Sequence, residues 1–126
     1  MDHVEDLQGL VADESEGGAV IGMDVDDAAK FGLLEVDAYG KLESITERPH
    51  DKEVGVVNTG TYIITSRFFD FPLVPISDTE FGLPQTLVHV ARQYPVSVIK
   101  ARAWQPVCFP DDIPDAEAFN QKYFLA

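Results

Sequence analysis

The chain has 126 residues, 45% of them hydrophobic, and carries nine Lys plus Arg against 22 Asp plus Glu for a formal net charge of -13. That length suits a single domain over 1–126, and no apolar run reaches the roughly 18 residues that a membrane span needs. The acidic balance repels a nucleic-acid backbone and an anionic bilayer alike, so neither nucleic acid nor membrane is an expected partner.

From Val4 to Glu14 the apolar positions Val4, Leu7, Leu10 and Val11 share one helical face, and Gly17 and Gly18 then stop the helix. Ala19 to Met23 is a short apolar run, which predicts a strand buried on both faces, and Asp24 to Lys30 a loop. Phe31 to Val36 and Leu42 to Thr46 read as two strands of a hairpin, joined by residues 37–41, where Asp37 and Gly40 supply the turn. Val56 to Ile64 is β-branched and aromatic, with Gly60 inside it, a position that predicts close approach by backbone or ligand, or a bulge. Ser66 is placed to cap a short helical turn through Phe69. Leu83 to Tyr94 reads as a helix with Pro84 in its first turn, Val96 to Ala101 as a strand and Pro114 to Phe124 as a terminal helix. Strands alternating with helices make the class α/β, and the hairpin makes the sheet mixed, with flanking helices.

Cys108 is the only cysteine and has no partner for a disulfide or a metal site. Beside Phe109 it reads as a small buried residue and not a nucleophile. Trp104 reads as core. His3, His50 and His89 lie far apart, with no spacing that marks a triad or a metal cluster. The Asp24, Asp26 and Asp27 group lacks the glycine and closing Glu of a calcium loop and reads as a solvated turn. The first residues, Met1 to Asp6, show neither the basic nor the apolar region of a secretory signal, so the cytoplasm is the expected location.

Three pieces occur in order: Phe31 and Gly32, a strand, Asp37 to Gly40 and a second strand; then Glu47, Arg48 and Pro49; then Asn58, Gly60 and Tyr62 in one strand. Together they resemble the sugar-1-phosphate nucleotidyltransferase family, whose pattern is F/Y-G, strand, D-x-x-G, strand, E-K-P, and N-x-G-x-Y. Residues 82–87, and Trp104 with Pro110 to Asp112, are similar to later parts of that pattern. The resemblance implies a nucleotide-diphospho-sugar transferase-like fold and a sugar 1-phosphate ligand. It also implies substrate contacts from Gly32, Glu47, Arg48, Asn58 and Gly60. Side-chain chemistry agrees, since a carboxylate accepts two hydroxyl hydrogen bonds, an amide both donates and accepts, and a guanidinium suits a phosphate. Read alone, Glu47 with Arg48 is also an ordinary exposed ion pair, and Gly32 an ordinary loop start.

The family's reaction joins a sugar 1-phosphate to the α-phosphorus of a nucleoside triphosphate with Mg²⁺ neutralising charge. Its glycine-rich G-x-G-T-R loop does not occur in these 126 residues, because Gly17 and Gly18 follow a helix and precede a strand, the reverse of a phosphate loop. The resemblance makes Asp2 a metal-ligand candidate, and the second ligand position, two after Trp104, is Pro106. The expectation is therefore a truncated nucleotidyltransferase-like domain without the nucleotide-binding part, retaining sugar 1-phosphate binding but without nucleotidyl transfer of its own, and needing Mg²⁺ only if active. Two alternatives accompany it: a transferase completed by a separate amino-terminal half, and an interaction or scaffold homodimer with a vestigial pocket, pairing strand edges that a half-domain exposes.

Overall fold

The apolar run after the paired glycines becomes the centre of the sheet. In the computed structural model, which describes residues 16–125, β1 spans Gly18–Val25, and its first five residues are buried, as a strand covered on both faces requires. β2 is Leu33–Val36, β3 Leu42–Thr46, β4 Gly55–Ile64 and β7 Val96–Lys100. The sheet order is β3-β2-β4-β1-β7. β1 runs antiparallel to β4 and parallel to β7, so the sheet is mixed, as expected. A separate ribbon pairs β5 (Val74–Pro75) with β6 (Phe81–Gly82), two strands too short for sequence periodicity to mark. The helix expected from Val4 to Glu14 lies outside the described residues.

The hairpin follows from its turn chemistry. Asp37 Oδ1 accepts the backbone N–H groups of Tyr39 (2.8 Å) and Lys41 (3.0 Å), and Gly40 takes φ +78°, where a side chain is disfavoured. The turn then folds over the far edge of the sheet. Lys41 bridges to Ser97 in β7, Val98 N donates to Gly40 O (2.9 Å), and Lys41 Nζ donates to Ser97 Oγ (2.8 Å) and Glu16 Oε1 (2.9 Å). The sheet therefore curls until its two outer strands meet at one end.

Strand alternation divides the core between the two sheet faces. Leu34 turns toward α1 (Leu83–Ala91) and packs with Val20, Leu42, Phe68, Leu87, Val90 and Val96. Leu33 turns the other way, onto Ala28 and Val57, with Phe31, Met23 and Trp104 around them. Trp104 is half-buried at the margin of this cluster, edge-on to Phe31 with ring centroids 5.1 Å apart. Helix α1 stops at Ala91 and not Tyr94, because Pro95 disfavours helical geometry in the residue before it; the amides of Arg92, Gln93 and Tyr94 close the helix by bonding back to His89 O and Val90 O. Ser66 does not cap the short helix Ser66–Asp70. Thr65 holds the capping position, and its hydroxyl instead donates to Glu16 O and Gly17 O, both at 3.1 Å. The segment expected as a loop before β2 contains a 3₁₀ turn at Ala28–Lys30. The last helix, α2, spans Ile113–Asn120 and widens into a π-helical turn over Gln121–Leu125.

Gly22 is a packing requirement of β1. A Cβ there would stand 2.5 Å from Val56 Cγ1, 3.2 Å from Leu34 Cδ1 and 3.3 Å from Val98 Cγ1, on three different strands. Gly22→Ala is expected to lower unfolding free energy by about 2 kcal/mol. Urea denaturation checks this: the midpoint should fall while the slope stays constant, and an unmoved midpoint would contradict it.

Candidate functional site

The hairpin register decides which residues meet. Leu33 pairs with Thr46 across β2 and β3, which sets Gly32 beside Glu47 at the next rung. Leu33 also pairs with Val57 of β4, and the neighbouring amide of Asn58 donates to Gly32 O at 2.9 Å. Gly32, Glu47 and Asn58 therefore form one row across three adjacent strands. A Cβ at residue 32 would stand 3.3 Å from Glu47 Oε2 and 3.7 Å from its carboxyl carbon. The absent side chain leaves one face of that carboxylate open to a ligand.

Two residues that fall in the motifs of the resemblance but carry no contact role there complete the cluster. Gln85, in the first turn of α1, donates from Nε2 to Glu47 Oε1 at 3.1 Å. Tyr62 receives a hydrogen bond from Asn58 Nδ2 on its hydroxyl at 2.6 Å, which leaves the phenolic proton free to donate. Burial raises the Tyr62 pKa above its ordinary value; the Asn58 hydrogen bond opposes the rise and the nearby Glu47 charge adds to it. At neutral pH Tyr62 is a donor. Glu47 accepts, and Asn58 can do both, so the row presents hydrogen-bond donors and acceptors side by side.

Gly60 serves this row through its backbone. Between the Val20–Tyr62 and Gly22–Asn58 pairs the register shifts: Thr59, Gly60 and Thr61 on β4 stand opposite the single residue Ile21 on β1, so β4 bulges there. Thr59 Oγ1 pins the bulge by donating to Ile21 O at 2.8 Å, and Gly60 takes φ +84°. Nothing lies within 4 Å of where its Cβ would be, so the close backbone approach expected there is absent and the glycine answers to conformation. Its N–H donates to Asn58 Oδ1 at 2.9 Å and orients the Asn58 amide.

Arg48 does not join the row. Arg48 stands in the bend after β3 and donates from Nη1 to Lys30 O at 3.1 Å. It lines an open cleft of about 1170 Å³ together with Lys30, Gln105, Pro106, Cys108 and Asp112. Cys108 is exposed, which corrects the expectation of a buried thiol: it lies in the irregular stretch before α2, with its amide bound to Asp112 Oδ2 at 2.9 Å. That bond and a second from the Phe109 amide (3.0 Å) hold the Asp112 carboxyl below its usual range.

Among the described residues, the carboxylates that line this cleft are Asp27 and Asp112. The position where the resemblance calls for a carboxylate is Pro106. Asp27 faces Lys30 at 3.5 Å, and Asp112 is engaged by the two amides. Among the described residues no group of three or more His, Cys, Asp or Glu is placed to hold a metal. Asp2 lies outside the described residues. No helix among the described residues is long and apolar enough to cross a membrane.

The mixed sheet of order β3-β2-β4-β1-β7 with its helices makes this an α/β protein of the nucleotide-diphospho-sugar transferase fold, on its likeness to solved structures. The Nucleotidyl transferase family model matches residues 2–122, and the chain belongs to that family. It is similar to the bifunctional protein GlmU of Methanococcus aeolicus, at 24% identity over 115 residues, which cover 89% of this chain and 28% of that protein. Among solved structures it is similar to a Bacillus anthracis protein assigned as a glucose-1-phosphate thymidylyltransferase, in complex with a sucrose (TM-score 0.72, 21% identity, 94% of this chain and 47% of that one). It is also similar to HddC from Yersinia pseudotuberculosis (TM-score 0.65, 24% identity, 94% of this chain and 50% of that one). The chain thus spans about half the length of these solved chains and 28% of the curated relative.

Proposed function

We propose that the chain corresponds to the sugar-binding part of a nucleotidyltransferase domain, that it binds a sugar 1-phosphate, and that the described residues do not carry nucleotidyl transfer by themselves. The observation that supports this reading most is the row of Gly32 just before β2, Glu47 just after β3 and Asn58 in β4, brought beside Tyr62 and Gln85. Glu47 accepts sugar hydroxyl hydrogen bonds, Gly32 leaves room for the ring, and Asn58, oriented by the Gly60 amide, supplies a further polar contact. Arg48 lines the neighbouring cleft, where its guanidinium suits the phosphate of the same ligand.

Transfer needs a held triphosphate and charge neutralisation at the reacting phosphorus. The glycine-rich loop does not occur in these 126 residues, and among the described residues no group of three or more His, Cys, Asp or Glu is placed to hold a metal. Titration calorimetry with glucose-1-phosphate and N-acetylglucosamine-1-phosphate tests the binding, and no heat at millimolar ligand would reject it. Arg48→Met is expected to weaken the phosphorylated ligand by about tenfold, since a charge-assisted bond to phosphate contributes about 1.5 kcal/mol. The loss should shrink as salt is raised. An equal loss with the unphosphorylated sugar would place Arg48 outside the phosphate contact.

A further inference from the structure

Glu47 follows its strand as an exposed side chain, and an exposed glutamate explores many rotamers whose loss on binding opposes affinity. Gln85 removes that freedom. Its Nε2 donates to Glu47 Oε1 at 3.1 Å from a residue 38 positions further along the chain. The amide can face only one way, because a carboxylate only accepts and so must meet the NH₂ end. The other end is placed by packing: a Cβ at residue 82 would collide with Gln85 Oε1, so the amide oxygen fills the space over Gly82. The turn beneath it is fixed by Thr86, which is fully buried, donates to Gly82 O at 2.7 Å and accepts the Val74 amide at 3.0 Å. Glu47 Oε2 is left on the open side next to Gly32.

We propose that Gln85 is the positioning residue that presents Glu47 to the ligand, holding one carboxylate oxygen so that the other is free to accept a sugar hydroxyl. This rests on the reading that Glu47 contacts the sugar. Gln85 acts through Glu47, so its substitution alters affinity in a way that depends on protonation. Gln85→Leu removes the donor at every pH. Gln85→Glu sets two carboxylates face to face, which raises the proton affinity of the pair. At low pH one shared proton restores a donor, and at high pH the two charges repel.

The first measurement needs no ligand: in ¹H–¹⁵N spectra the Gln85 side-chain amide resonances should move when Glu47 is replaced by Gln. The second is calorimetry with glucose-1-phosphate at pH 5 and pH 8, each variant compared with the parent at the same pH. Gln85→Leu should weaken binding about fivefold at both values, the worth of about 1 kcal/mol. Gln85→Glu should weaken it about tenfold at pH 8 and return to within about threefold of the parent at pH 5. Unmoved amide resonances, or a Gln85→Glu variant that tracks the parent at both pH values, overturn the positioning role. Resonances that move while the parent binds no sugar phosphate support the Gln85 contact and reject the ligand reading alone.

Discussion

Replacing Glu47 with Ala is expected to weaken glucose-1-phosphate by about 30-fold, the equivalent of about 2 kcal/mol. A carboxylate that accepts hydroxyl hydrogen bonds makes charge-assisted contacts, each stronger than a neutral one, and water filling the vacated space recovers part of the loss. Glu47 is exposed and its removal leaves no cavity, so the thermal midpoint of the variant should match the parent. Glu47→Gln keeps the shape but not the charge and should lose about fivefold. Calorimetry on the three proteins gives the order parent, Gln, Ala. An Ala variant within about threefold of the parent would remove Glu47 from the ligand contact.

The residues behind that prediction differ in how far the sequence announces them. Gly32 and Glu47 are legible because a hairpin is local: Asp37 and Gly40 set the turn, and the one-residue register shift between the Val36–Leu42 and Glu35–Ser44 pairs, which the sequence does not mark, sets the rung on which the two meet. Asn58 is legible through its spacing to Gly60 and Tyr62 in one strand. Gln85 is not, since its contact with Glu47 depends on where α1 docks, which local pattern does not encode. Arg48, adjacent to Glu47 in sequence, lies in the bend after β3, lines the neighbouring cleft and donates to Lys30 O. Gly60 is readable as special but not for which reason, because a glycine serves close approach and left-handed backbone equally well. Cys108 departs from expectation because cysteine as a residue type favours burial, whereas its segment has no regular structure to cover it.

Leu87→Ala is expected to cost about 3 kcal/mol of stability and to lower the thermal midpoint by about 12 °C, the largest effect on folding among these substitutions. Leu87 is fully buried between α1 and the sheet, against Val20, Leu34, Val90 and Val96. The helix sits so near β1 that a Cβ on Gly18 would stand 3.5 Å from Leu87 Cδ2, and one on Gly17 2.6 Å from Val90 Cγ1. Backbone packed that closely cannot move in to fill the space a leucine leaves, so the cavity term is felt in full. The same helix carries Gln85, two residues earlier, and packs against β3, which leads into Glu47. Loosening α1 therefore reaches Glu47 and its row through the Gln85 contact. The variant should bind glucose-1-phosphate less tightly even well below its midpoint, by up to the roughly fivefold assigned to losing the Gln85 bond. Calorimetric melting and titration on the same sample check both parts: a midpoint lowered by less than about 4 °C contradicts the packing argument, and unchanged affinity with a lowered midpoint separates the core from the site.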